Sequence, residues 1–330
     1  MSPLDHCVYI WKCYDELTIL SLYVDDILLA GNNPDMMSKT KSFLSSRFEM
    51  KDIGPAIYVL GIKITRDRNT KLLYPDQENY LGKVLKKFNM VESKALSTPV
   101  SKGTILSKNM RHKDKEKQEF MEKVPYAQVV GNLMNAMTST RPDICHAVGL
   151  VSRYQPNPGR THWQAVKRIF RYPQGTKGMK LCFGISDLEI IGYTDVDFAG
   201  VDDRKSTSGH VFLFGGAVVS WLSKKQGCVA KHTMEAEYIS CYTAVSEAVW
   251  IKRFVDNLKL GIPNRPVNVF CDNKSTISLI KSGANSSESK HIETNYHYIQ
   301  DIMENGWNMS SIYPLKRYGG RSYDQRIDSR

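Results

Sequence analysis

The sequence predicts an α/β protein, α+β overall, whose C-terminal third is a mixed sheet covered by helices. Three observations predict it. A change to short strands begins at Leu188, a long helical segment (Thr233–Leu258) follows them, and a further strand (Val267–Cys271) runs straight into another helix. Strands that give way to β-α units place helices on a mixed sheet. With 330 residues and 42% hydrophobic content, the chain has room for two or three domains with real cores. A net charge of +11 points to a polyanionic partner or a membrane surface. The seven cysteines are scattered without a CxxC pair, which suits a reducing compartment better than a disulfide framework. No signal peptide is visible, and the apolar run Leu17–Gly31 is broken by Asp25-Asp26, so it cannot span a bilayer. The expectation is an intracellular chain, cytoplasmic or nuclear, neither secreted nor membrane-bound.

The elements follow in order. Ile19–Val24 and Ile27–Gly31 are rich in β-formers and flank two acids, which reads as a tight hairpin. Pro34 opens a helix to about Phe48. Tyr58–Thr65 reads as a strand, and Tyr80–Phe88 as a helix with Leu81, Val84, Leu85 and Phe88 at helical spacing. Residues 101–124 are charged and polar and read as a linker or a solvated helix. Helices resume at Tyr126–Thr138, Ile144–Tyr154 and His162–Tyr172, where Pro173 is expected to end the last one early. Glu189–Asp195 is a strand, and Gly209–Phe214 with Ala217–Ser223 forms a hairpin about Gly215-Gly216. A short helix at Lys274–Lys281 and a last one from near His291 complete the pattern, which fades after Gly306 into a polar tail expected to be disordered.

Four acids stand at the ends or on the faces of the C-terminal elements. Asp195 closes an apolar strand, Glu237 lies in the first turns of the long helix, Asp272 follows the strand ending at Cys271, and Glu293 sits in Lys290-His291-Ile292-Glu293. Carboxylates converging from separate elements suit hard divalent cations, and two such ions can activate water and stabilise a leaving oxygen. Spacing alone leaves each acid open to a second reading, a solvated turn residue. Asp197 is taken to face the other side of a continuing strand. A zinc-binding reading of Cys228 and His232 lacks a second pair at metal-like spacing.

Motifs in order sharpen this. Gly192-Tyr193-Thr194-Asp195-Val196-Asp197-Phe198-Ala199-Gly200, Arg204-Lys205-Ser206-Thr207-Ser208-Gly209, Glu235-Ala236-Glu237-Tyr238, Cys271-Asp272-Asn273-Lys274-Ser275 and Ser289-Lys290-His291-Ile292-Glu293 resemble the ribonuclease H domain of copia-type LTR retrotransposons. Upstream, Tyr23-Val24-Asp25-Asp26 resembles the reverse-transcriptase palm motif, supported by Met50–Gly54, Tyr58–Ile62, Phe88–Met90 and Ser97–Pro99, while Tyr126–Gly131, Thr140–Ile144 and Asn157–Gly159 resemble the segment joining polymerase to nuclease. The resemblance implies a ribonuclease H-like mixed five-stranded sheet over 188–306. Before it would lie a partial palm hairpin and thumb (1–100), the linker (101–124) and a helical connection (125–187), with the divergent tail at 307–330.

It also implies hydrolysis of the RNA strand of an RNA–DNA hybrid, with two Mg2+ ions (Mn2+ as substitute) on Asp195, Glu237, Asp272 and Glu293. Glu237 is preferred to Glu235 because Ala-Glu-Tyr-Ile matches the family helix; Glu235 suits the helix dipole. The fourth acid is commonly Asp in the superfamily, and here it is Glu. Hybrid recognition would rest on shape and 2′-hydroxyls, with Arg204, Lys205, Lys224, Lys225 and Lys231 as candidate phosphate contacts and other Pol- or Gag-derived chains as further partners. Asp25 and Asp26 would be a vestigial polymerase metal pair, because a further palm carboxylate and the fingers are expected to be absent. The rival reading is a catalytically inactive remnant that binds nucleic acid; the missing palm, Pro173 and the altered tail favour it, and the complete set of nuclease carboxylates opposes it.

Overall fold

The computed structural model describes residues 1–111, 115–200, 202–263, 265–282 and 293–304. Three antiparallel strands come first: β1 (Val8–Cys13), β2 (Glu16–Tyr23) and β3 (Asp26–Gly31), in the order β1-β2-β3. The expected hairpin forms, with Tyr23 paired to Asp26 and Val24-Asp25 as its two-residue turn. Asp25 is therefore a turn residue, and Asp26 is the first residue of β3. The turn requires φ of +53° at Val24, a β-branched residue in left-handed space. α1 (Pro34–Arg47) starts with proline in its first turn, and the Asn33 side chain accepts from the Met36 N–H at 3.0 Å. None of the residues of α1 is buried.

β4 (Tyr58–Val59), β5 (Ile62–Asp67) and β6 (Leu72–Asp76) form a second antiparallel sheet. The single strand expected at Tyr58–Thr65 is thus two, separated by Leu60-Gly61, both at positive φ. α2 (Glu78–Lys87), α3 (Lys115–Glu122), α4 (Tyr126–Ser139), α5 (Cys145–Ser152) and α6 (Arg160–Thr176) follow. Their apolar positions recur every three or four residues, so each helix turns one stripe inward. Leu81, Val84 and Leu85 of α2 meet Val129, Val130 and Leu133 of α4, Val148 and Val151 of α5, and Val166, Ile169 and Phe170 of α6 in one core. Leu106 and Met121, from the charged stretch, are buried in that core as well. Each fully buried aliphatic side chain stabilises the fold by about 1.5–3 kcal/mol.

Pro173 does not end α6, which runs on to Thr176. Proline removes one N–H and crowds the carbonyl four residues back, but here only the final turn is affected, and it is held from outside. Arg141 donates to the Thr176 carbonyl at 3.2 Å and to its Oγ1 at 2.7 Å. Gln174 Nε2 donates to the Val91 carbonyl at 2.6 Å, and the Leu96 N–H to the Arg171 carbonyl at 3.0 Å.

The third sheet consists of β7 (Ile191–Asp197), β8 (Thr207–Phe214), β9 (Ala217–Lys225) and β10 (Asn268–Cys271), with α7 (Thr233–Asn257) between the last two strands in sequence. Its order is β10-β7-β8-β9: β7, β8 and β9 are antiparallel neighbours, and β10 returns parallel to β7. This is the mixed sheet with helices that the sequence predicts, with four strands among the described residues against the five expected. Gly192 pairs with Phe212 across β7 and β8, and a Cβ there would stand 2.4 Å from the Phe212 ring. The fully buried phenyl occupies the place a side chain would fill. α8 (Lys274–Ser282) and α9 (Glu293–Glu304) end the described chain; the tail from residue 305 lies outside the described residues.

By compactness the chain divides into two units, Met1–Ile57 with Ser246–Pro266, and Tyr58–Val245 with Val267–Arg330. In the first, Lys12 Nζ donates to the Lys259 carbonyl at 2.7 Å. The second contains both of the later sheets and the helical core.

Candidate metal centre

β7 and β10 lie parallel with Thr194 opposite Cys271, so Asp195, still within β7 and paired with Gly209, and Asp272, just past the end of β10, follow at corresponding places on adjacent strands. α7 is fastened over that part of the sheet. Ser240 Oγ donates to the Asp195 carbonyl at 3.0 Å and lies 2.8 Å from Thr194 Oγ1. Glu237 sits one turn before Ser240, on the same helical face, which brings its carboxylate over the strand ends.

Glu237 is only 5% exposed, and its Oε2 has no hydrogen-bond partner among the described residues. One ligand atom each from Glu237, Cys271 and Asp272 lies within 4.8 Å of the others. Withdrawal from water pushes the Glu237 carboxyl up to about 8, and Cys271, Asp272 and Asp195 add to the rise. Asp195 is shifted the same way, first by desolvation, then by repulsion from Asp272 and Asp197, with the Val196 N–H bond at 2.8 Å opposing. Carboxyls that lose solvent and repel one another favour either a proton or a cation.

The other expected residues fall as follows. Glu235 accepts from the Lys231 N–H at 2.6 Å and secures the approach to α7, away from the Glu237–Cys271–Asp272 set. Asp197 is exposed but lies on the same strand face as Asp195, since residues two apart in a strand share a face; the expectation that it faces the other side was wrong. Glu293 opens α9, while its side chain, like His291, lies outside the described residues. Asp25 and Asp26 are exposed at the hairpin turn, and neither belongs to a three-ligand group among the described residues.

Of the basic candidates, Arg204, Lys224 and Lys231 are exposed. Lys205 and Lys225 are engaged within the protein, Lys205 with the Gly227 carbonyl at 2.6 Å and Lys225 with Asp203 at 2.6 Å. Sequence reasoning missed Cys271. Its signal was its place as the last inward-facing residue of β10, which also made it read as ordinary core. Its sulfur is hydrogen-bonded to Cys241 of α7, which lowers its thiol, while the Cys241 thiol is pushed well up.

Fold and site together define a mixed α/β protein with a cluster of possible metal ligands, Glu237, Cys271 and Asp272, at the end of a strand. A sequence model of the reverse transcriptase (RNA-dependent DNA polymerase) family matches residues 1–102. The Pol polyprotein of transposon TNT 1-94 from Nicotiana tabacum is 47% identical over 303 residues, 91% of this chain and 23% of that protein. A transposon Ty5-1 protein of Saccharomyces cerevisiae is 30% identical over 246 residues, 74% of this chain and 78% of its own length. The chain belongs to the copia-type retrotransposon Pol polyprotein family. It spans 20 to 23% of the length of the Pol polyproteins it matches. Among solved structures, LC11 ribonuclease H1 in complex with an RNA/DNA hybrid aligns at 20% identity over 38% of this chain and 85% of that one, with a TM-score of 0.29. Among the described residues, no helix is long and apolar enough to cross a membrane.

Proposed function

We propose that this part of a Pol protein hydrolyses the RNA strand of RNA–DNA hybrids, using Asp195, Glu237 and Asp272, with Glu293 as the fourth acid. One observation carries the reading: a buried glutamate with an unpartnered oxygen, beside Asp272, above a strand edge that also delivers Asp195. Such a carboxylate is costly without a partner, and a donor set with carboxylate oxygens from three elements fits Mg2+ or Mn2+. Bound there, two Mg2+ ions would supply an activated water and stabilisation of the leaving oxygen.

The chain's own groups do the rest. Ser240 fixes the backbone of Asp195 through its carbonyl, so the carboxylate is presented from a rigid strand. Burial keeps bulk water from Glu237. Exposed Arg204, Lys224 and Lys231 offer phosphate contacts that read charge rather than sequence, while shape and 2′-hydroxyls distinguish the hybrid. Other Pol- or Gag-derived chains are the further partners of this reading. No polymerisation step is assigned to Asp25 and Asp26, which have no third ligand near them among the described residues. The inactive-remnant reading loses part of its basis, because α6 accommodates Pro173. A labelled RNA–DNA hybrid incubated with the chain and Mg2+ tests the proposal: cut RNA with intact DNA supports it, and binding without cleavage refutes it.

A further inference from the structure

The cluster at the strand edge is not made of oxygen alone. Cys271 is 3% exposed, directly precedes Asp272 and places its sulfur within 4.8 Å of ligand oxygens of both Glu237 and Asp272. Those two carboxylates come from opposite sides of it: Glu237, over nine-tenths buried, brings an unpartnered oxygen from α7, and Asp272 is the exposed side of the set. Cys241, fully buried on α7 one turn beyond Glu237, lies beside the Cys271 sulfur.

Hard cations such as Mg2+ take oxygen and have little use for sulfur, whereas thiolates select Zn2+ and its softer analogues. Three ligands from one strand end and one helix, with a further position left for water, also match the donor number of open zinc sites. We propose that Cys271, Glu237 and Asp272 form a site for a thiophilic divalent cation of the zinc class, which competes with Mg2+ for the two carboxylates and shuts the site down. Binding releases to water the Cys271 thiol proton and the proton that buried Glu237 holds at neutral pH, and puts the thiolate sulfur, one oxygen of Glu237 and one of Asp272 on the ion. The inference rests on reading these carboxylates as a metal site, and adds to it a regulation by metal identity.

The probe is Cd2+, which reports sulfur ligation directly. In the full chain with Cys7, Cys13, Cys182 and Cys228 replaced by serine, one equivalent of Cd2+ produces a sulfur-to-metal charge-transfer band in the near ultraviolet. Cys271→Ser removes the band, and Glu237→Gln weakens Cd2+ affinity by at least the roughly tenfold that loss of even an outer-shell partner brings. Cadmium NMR on the chain with Cys271 intact gives a shift displaced by one sulfur ligand, a readout that needs no variant at the site. An all-oxygen shift, or a band that survives in Cys271→Ser, overturns the proposal. Hybrid cleavage in Mg2+ without sulfur ligation of Cd2+ rejects this inference alone. Sulfur ligation in a chain that never cuts hybrid rejects the nuclease reading and leaves the thiophilic site standing.

Discussion

At the scale of single residues, Glu237 has the most to report. Its carboxyl is held at about 8 in the fold, chiefly by loss of solvent, and titrates near 4.5 when exposed. The folded state therefore binds the proton more tightly than the unfolded one, and the metal-free protein loses stability as pH rises from about 4.5 through about 8. Thermal unfolding followed across that window in chelator should show the loss, and Glu237→Gln should flatten it. An unchanged slope in Glu237→Gln would mean that other groups set the profile. Added Mg2+ should restore most stability at the alkaline end, where the carboxylate is free to bind. Asp272 is exposed, so Asp272→Asn should leave the melting temperature nearly unchanged. It should lower hybrid cleavage by more than the roughly 10–100-fold cost of an outer-shell change; paired melting and cleavage measurements check both halves. Asp195 and Asp272 stood out through the ordered motifs around them, because an acid at the end of an apolar run reads equally well as a solvated turn residue. Cys271 did not, because a cysteine one residue earlier alternates inward and reads as packing.

At the scale of elements, β7 is where fold and site meet. Gly192→Ala would push a methyl into the Phe212 ring and should cost about 1–3 kcal/mol, as overpacking does. Denaturant midpoints should show that loss, and Phe212→Leu in the same chain should recover part of it; no recovery would place the strain elsewhere. Ser240→Ala removes the tie from α7 to the Asp195 carbonyl and to Thr194, and should cost about 1–3 kcal/mol while also slowing cleavage. If stability falls and cleavage does not, the tie is only structural. The helices α2, α4, α5 and α6 were readable because their apolar residues keep helical spacing. Other elements were not. β1 contains Lys12 and Cys13 and exists by pairing with β2. β6 includes Pro75 and is anchored by a bridge from Leu73 to Phe183, distant in sequence. Pro173 misled for a related reason, since the hydrogen bonds that hold its turn come from Arg141, Gln174 and Leu96, and no local rule encodes them.

At the scale of the whole molecule, the positive balance and the carboxylate edge make one statement about partners. A chain of net charge +11 attracts any polyanion, so hybrid binding should weaken steeply with salt. Replacing Arg204, Lys224 and Lys231 together by alanine should flatten the logarithmic salt slope by about 2–3, near one unit for each phosphate no longer neutralised; an unchanged slope would move the nucleic-acid path elsewhere. The family was readable from ordered motifs along most of the chain, and the division that sets Ser246–Pro266 with Met1–Ile57 was not, because it depends on where a single long helix leads. Above all, the strand edge carrying Asp195, Glu237 and Asp272 is proposed to cut RNA paired to DNA. The decisive experiment follows a hybrid labelled on both strands, incubated with the full chain in Mg2+, beside Asp272→Asn at equal hybrid occupancy. RNA fragments and intact DNA are expected from the unmodified chain, and no fragments from the variant. Equal cleavage by both, or uncut RNA on a fully occupied hybrid, would contradict the proposal.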